Sequence, residues 1–177
     1  MSHVDDKVFE LARAALSFEF SGEHFFRHAA ELTKNASGKR MFLQLAEKDD
    51  ERLTDLTSLF GKIIGKEEWQ RLVSEAAKNA VPSIVIAEME AEVKRRGHGV
   101  VADDTQALRL AMELQRRFIH VFKDLASHTS DPEIVALADK ILEGEFFRYD
   151  NLQAQLDSVL NTGLWLDMPE FRMDGKF

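Results

Sequence analysis

The chain carries one helical hairpin pattern twice, with 96 residues between the copies. In the first copy Glu19 is followed thirty positions later by Asp49, and in the second Gln115 is followed thirty positions later by Glu145. Three and four positions before each of these polar residues stands an apolar pair: Ala-Leu, Leu-Ala, Ala-Met and Ile-Leu. This repeat predicts two helical hairpins of one design, which leaves few folds open to the chain.

Apolar residues recur at the three- and four-residue spacing of helices, and alternating strand patterns are missing, so we predict an all-α fold. Two long helices are predicted at about 5–33 and 39–61. A third begins after 103–105 and continues to about 128, and a fourth extends from its N-cap, Asp131, to Gly163. Two shorter helices, 67–79 and 83–96, fall in the long middle connection. The pattern indicates a four-helix bundle with one long crossover connection that contains short helices.

The domain prediction follows from this pattern. Residues 1–163 form the bundle, with the crossover at about 62–102. Residues 164–177 form an apolar tail that we expect to pack on the bundle or on a partner chain.

The composition excludes several classes of function. A formal net charge of −8 argues against nucleic-acid binding, and a chain without Cys has no disulfide, thiolate nucleophile or iron–sulfur cluster. No apolar run reaches the roughly 18 residues of a membrane span, and the acidic start is unlike a signal peptide. We therefore expect a cytoplasmic protein that binds neither membranes nor nucleic acids.

The repeated polar residues lie within the apolar stripes of their helices. Ala12 and Phe26 flank Glu19 at seven residues on either side, two turns away on nearly the same face, and apolar residues flank the other three in the same way. An Arg three residues after the second polar residue of each copy shares its face. Six polar groups are thus predicted inside the bundle: Glu19, Asp49, Arg52, Gln115, Glu145 and Arg148.

On these residues the chain resembles the rubrerythrin group of the ferritin-like superfamily over about residues 5–160. The resemblance implies a di-iron site in which two helices each give a Glu and the other two each give Glu-x-x-His. Glu19 and Glu145 match that pattern, and Asp49 matches it with a shorter side chain. The departures leave a degenerate metal site: Arg52 and Arg148 stand at the two His positions, Gln115 stands at a Glu position, and Phe26 and Phe122 stand where family members often have Tyr.

These departures change the chemistry of the site. A guanidinium has no lone pair to give a metal and stays protonated in proteins, so Arg cannot be a ligand. The family site has a formal charge of about −4, whereas three carboxylates and two guanidiniums leave −1 here. Our hypothesis is that Arg52 and Arg148 take the place and charge of the two metals, each paired with a carboxylate, while Gln115 fills a remaining hydrogen-bond position. We expect no metal in the usual form and no other cofactor.

Two other metal arrangements are open. Glu23, one turn after Glu19, is a possible extra carboxylate, and with Asp49 and Glu145 the set offers enough oxygen for one hard cation. His24 and His28 have the i, i+4 spacing of a metal-binding pair but no third ligand, which favours ordinary surface histidines.

The sequence therefore leaves two kinds of function. The first is a non-catalytic ferritin-like protein that works as a homodimer or binds a protein partner, through the crossover segment 84–86 or the C-terminal aromatic residues. The alternative is a metal-dependent oxidoreductase that reduces peroxide or oxygen, or an iron-handling protein, with iron or another divalent cation at an altered carboxylate site. The resemblance implies a di-iron oxidoreductase, and the ligand losses argue against one.

Overall fold

A computed structural model of the chain describes residues 6–47, 49–96 and 104–166, and leaves the side chains of Asp49, Asp50 and Val93 undescribed. These residues form seven helices and no strand, which confirms the all-α prediction. None of the seven is long and apolar enough to cross a membrane. In chain order the helices are α1 Asp6–Leu32, α2 Ala36–Glu47, α3 Asp49–Ile64, α4 Lys66–Asn79, α5 Pro82–Arg95, α6 Asp104–Ser127 and α7 Pro132–Thr162.

The four sides of the bundle are α1, the α2–α3 pair, α6 and α7. Helix α1 packs on α2 and α6, α7 packs on α6 and α3, and the crossover helices α4 and α5 both lie against α1. The apolar stripes meet in one core, whose largest fully buried side chains include Phe26, Phe42, Phe118 and Phe122. The fold is a ferritin-like bundle with the predicted crossover and its two short helices.

The predicted second long helix corresponds to α2 and α3, which are separated only by residue 48, a position outside the described residues. Helix α2 begins three residues before the predicted start because Asn35 caps it. The Asn35 side-chain oxygen accepts hydrogen bonds from the backbone N–H groups of Ser37 (2.9 Å) and Gly38 (3.2 Å). Residues that favour turns are therefore the cap and first turn of a helix here.

Both predicted ends of α7 are confirmed. The Asp131 side chain accepts a hydrogen bond of 2.9 Å from the backbone N–H of Glu133, and Pro132 occupies the first turn, where no N–H is needed. Gly163 ends the helix at a φ of 71°, a left-handed conformation that favours glycine. These caps set the length of the helix that carries Glu145.

After α7 the chain folds back onto the bundle. The Gln155 side chain donates to the backbone oxygen of Leu166 and accepts from its N–H, both at 2.9 Å. Trp165 packs edge-on against Phe42, with ring centroids 5.8 Å apart, and its indole N–H donates to Asp104 at 3.3 Å. Trp165 and Leu166 of the predicted tail thus lie against the bundle, the side chain of Leu164 is exposed, and 167–177 lie outside the described residues.

We expect Gly38→Ala to destabilise the protein because Trp165 covers this glycine. A Cβ at residue 38 would lie 2.6 Å from the Trp165 ring and 2.9 Å from Thr33 Cγ2. Overpacking costs about 1–3 kcal/mol, which outweighs the roughly 1 kcal/mol that Ala gains over Gly in a helix. Gly144→Ala is the matched control, since a Cβ there meets nothing within 4 Å and should stabilise. Urea unfolding measures the free energy of unfolding of both variants. Equal changes in the two would contradict the packing of Trp165 on Gly38.

Candidate site in the bundle core

Four of the six predicted polar residues meet in the middle of the bundle, one from each side. Helix α1 provides Glu19, α3 provides Arg52, α6 provides Gln115 and α7 provides Glu145, and all four side chains are buried. They meet because each takes a position in the apolar stripe of its helix, and the stripes face one another. The polar residues are therefore enclosed by the apolar core.

Arg52 lies at the centre of this group and is only 4% exposed. Its Nη1 donates to Glu19 Oε2 and its Nη2 donates to Gln115 Oε1, each at 3.4 Å. Its Nε lies 3.2 Å from Glu145 Oε1 as an ion pair. Both hydrogen bonds are longer than the usual N–H···O distance. One guanidinium thus contacts α1, α6 and α7 at once.

An aromatic ring completes the surroundings of Arg52. The Cζ atom of Arg52 lies 4.4 Å from the centroid of the Phe118 ring, a distance at which a guanidinium and an aromatic face attract each other. Phe118 is fully buried and also packs against Phe18 of α1. The ring therefore shields the cation from water and holds its plane in place.

Both oxygens of the Glu145 carboxylate have donors. Oε1 accepts from Arg148 Nη1 and Oε2 accepts from Gln115 Nε2, each at 2.5 Å. Arg148 lies on the same helix, three residues further on, and its side chain is 14% exposed. Gln115 both donates to Glu145 and accepts from Arg52, so its amide joins a carboxylate to a guanidinium.

The charges of the group cancel among the residues whose side chains are described. Glu19 and Glu145 carry two negative charges, and Arg52 and Arg148 carry two positive ones. An isolated buried charge costs several kcal/mol, and a group of this kind is stable only when the charges offset one another at close range. The sixth predicted residue, Asp49, has a side chain outside the described residues.

The other candidate ligands lie away from this group. Glu23 is partly exposed because a position four residues after Glu19 is rotated by about 40° around the helix axis. Its carboxylate accepts a hydrogen bond of 2.9 Å from Arg27. His24 and His28 are both exposed on α1. Across 6–47, 49–96 and 104–166, no cluster of three or more His, Cys, Asp or Glu side chains is arranged to hold a metal ion.

The donors present do not fit a di-iron group. The guanidinium of Arg52 contacts both described carboxylates, Glu19 and Glu145, where a metal would need their oxygens. It offers no lone pair and repels a cation. Phe26 and Phe122 are fully buried and bring no hydroxyl to the site. The chemistry of the site is that of a buried ion-pair group.

Sequence reasoning missed a third buried carboxylate, which lies outside the core group. Glu113 lies within ion-pair distance of three guanidiniums, those of Arg96 (3.6 Å), Arg116 (3.4 Å) and Arg117 (3.5 Å). The i+3 and i+4 spacing of Arg116 and Arg117 was a visible signal, whereas Arg96 comes from the end of the crossover. Arg117 also reaches Glu88 of α5 at 3.3 Å, so this cluster fastens the crossover to α6.

The comparisons with known proteins agree with the fold. The family model for rubrerythrin matches residues 10–156, which include every residue of the core group. No curated protein and no solved structure matches the chain. On the extent of the family match, this chain belongs to the rubrerythrin family.

Proposed function

We propose that in this rubrerythrin-family bundle an arginine–carboxylate network takes the place of the di-iron centre, and that the chain works by binding protein chains instead of catalysing a redox reaction. The observation that carries the proposal is the position of Arg52, buried within 3.4 Å of Glu19 and Gln115 and within 3.2 Å of Glu145. Glu19, Gln115 and Glu145 stand at the family's carboxylate ligand positions, where Gln115 has replaced the carboxylate, and Arg52 stands at a His position.

The chemistry of guanidinium supports this proposal. A His ligand can lose its proton and bind a metal, whereas Arg keeps its proton at any pH that a folded protein tolerates. A cation at this site would have to displace Arg52 from two carboxylates while lying close to its charge. The carboxylates that would attract a metal are instead neutralised by side chains of the same chain.

The proposed network would stabilise the core of the bundle in the absence of a metal. Carboxylate-bridged metals join the helices of such bundles, and Arg52 makes comparable connections from α3 to the other three sides. The family fold is thereby retained for some other use than metal chemistry.

For the protein partner, we propose a second copy of the chain. Large apolar side chains are exposed near the end of the bundle where α1 and α7 finish: Leu32, Leu160 and Leu164. Exposed apolar surface of this kind is a common component of homodimer interfaces. Sedimentation equilibrium tests this part: Leu160→Asp with Leu164→Asp should convert a dimer to a monomer, and a monomeric wild-type chain would contradict it.

Metal analysis tests the main proposal. Protein made in iron-rich medium should contain far less than one iron per chain, and a chelator should not change its melting temperature, because side chains supply the charge at the core. Stoichiometric iron that a chelator removes, with a lower melting temperature afterwards, would instead support a metal-dependent oxidoreductase or an iron-handling protein. A rubrerythrin-family chain with the full ligand set, prepared in parallel, controls for iron supply.

A further inference from the structure

A groove lies on the outer surface of the bundle between α1, α4 and α5. Its volume is about 400 Å³, within the range of small-molecule pockets. The walls include Leu16, Leu72 and Val85, which also belong to the core. At the mouth, Val81 and Ile84 leave 51% and 57% of their surface exposed. The groove thus combines nearly buried apolar walls with two exposed apolar side chains at its mouth.

A cation lines this apolar groove. Arg13 of α1 contributes to the lining, and its guanidinium lies 5.9 Å from the centroid of the Phe9 ring. Among the described side chains, no acceptor lies within hydrogen-bond or ion-pair distance of Arg13. Glu75 of α4 also lines the groove, and the carboxylates of Glu75 and Glu68 are both bound by Arg71. The hydrogen bond from Arg71 lowers the pKa of the Glu68 carboxyl, and Arg13 contributes to this shift only through its charge. The groove therefore combines apolar walls with one guanidinium whose donors are available to a ligand.

We propose that this groove binds an amphipathic monocarboxylate, with its headgroup at Arg13 and an unbranched chain of about eight to ten carbons along the apolar walls. A guanidinium fork matches the two oxygens of a carboxylate, and Ser17 and Asn79 add polar groups to the lining. The chain of the ligand covers Val81 and Ile84. The site lies outside the core network, so this inference stands whether or not the proposed function holds.

Carboxylates of different length test whether the hydrocarbon chain of the ligand binds the apolar walls. Titration calorimetry with hexanoate, octanoate and decanoate should show binding that tightens about fourfold for each two-carbon step, the effect of half-burying each added methylene. The protein is the full chain, and all three probes are used below their micelle concentrations. Absence of saturable binding at millimolar decanoate, or equal affinity along the series, overturns the proposal.

The charged part is tested by changing the headgroup. Octanoate should bind about fivefold more tightly than 1-octanol, the upper range for a solvent-exposed ion pair. Arg13→Gln should remove that preference while leaving octanol binding unchanged. Arg27→Gln, a solvent-exposed arginine of the same helix that is bonded to Glu23, is the matched control and should keep the preference. A preference that survives Arg13→Gln overturns the assignment of the headgroup.

The location is tested by two substitutions at one exposed position. Ile84→Glu and Ile84→Lys remove the same apolar side chain and differ in charge, so Glu should abolish octanoate binding and Lys should retain it. Both variants should melt like the wild type, since Ile84 is exposed. Equal octanoate affinity in the two variants overturns the site. If the protein is a dimer that Ile84→Glu dissociates and octanoate does not, the groove is the contact surface for a second copy of the chain. That result would also overturn the proposed ligand site.

Discussion

Arg52→Ala is expected to lower the free energy of unfolding by about 3–5 kcal/mol, the usual loss when one partner of a buried ion pair is removed. The substitution takes the guanidinium away from Glu19 and Glu145 and leaves a cavity beside the Phe118 ring. For a chain of this length each kcal/mol corresponds to roughly 2–4 °C, so the melting temperature should fall by about 10 °C. Urea unfolding and calorimetry measure both quantities.

Two other arginines provide the controls for this experiment. Arg27→Ala removes an arginine that is exposed on α1 and should change stability by no more than about 0.5 kcal/mol. Arg148→Ala should cost about 1–2 kcal/mol, because its side chain is partly exposed and water can reach the vacated space. If Arg52→Ala melts like Arg27→Ala, the charges of the core group do not stabilise the bundle.

A double substitution separates charge from shape at the same position. Arg52→Met keeps much of the volume and removes the charge, so it should still be strongly destabilising while Glu19 is ionised. Adding Glu19→Gln removes the carboxylate charge that Arg52 offset, and the pair of changes should regain part of the loss, since neutral replacements of buried ion pairs are often tolerated. The order of stabilities distinguishes an uncompensated charge from a packing defect.

Most of the fold followed from helical periodicity and the 96-residue repeat. The ends of α7 were predictable because Asp131, Pro132 and Gly163 each act through local backbone chemistry. Asn35, by contrast, shows a difficulty: a turn-forming residue beside Ser and Gly predicts a loop as readily as a helix cap.

Sequence reasoning predicted that Glu19, Arg52, Gln115 and Glu145 lie in the core, where all four are buried, but it did not predict all of their contacts. Repeat spacing places Glu19, Gln115 and Glu145 on inward faces, which is a property of each helix alone. The approach of Phe118 to Arg52 and of Arg96 to Glu113 depends on how separate helices are placed and which rotamers their side chains adopt. No local pattern encodes those distances.

Gln115 shows how the group depends on a neutral residue at one position. Its amide accepts from Arg52 and donates to Glu145, so one side chain serves a cation and an anion at the same time. A Glu at this position could accept from Arg52 but would place a second carboxylate against Glu145. The Gln therefore suits a core that contains arginines, and a Glu suits one that contains metals.

Restoring the family's ligand types should restore metal binding. In the triple variant Arg52→His, Arg148→His and Gln115→Glu, the core has four carboxylates and two imidazoles, which gives the charge and donors of a di-iron site. We expect about two irons per chain by elemental analysis, and a metal-free form that is less stable than the wild type and is stabilised when Fe²⁺ is added, since the metal binds only the folded state.

The single variants Arg52→His and Gln115→Glu are the controls for the triple variant. Arg52→His leaves one arginine and the neutral amide in place, and Gln115→Glu leaves both guanidiniums at the core, so neither should bind iron stoichiometrically. Circular dichroism on each metal-free protein establishes that the helices are formed before iron is added. A folded triple variant with no more iron than the wild type would mean that more than the ligand residues separates this bundle from a metal site. Iron bound by Gln115→Glu alone would mean that the arginines do not exclude a metal, and would contradict the role assigned to Arg52.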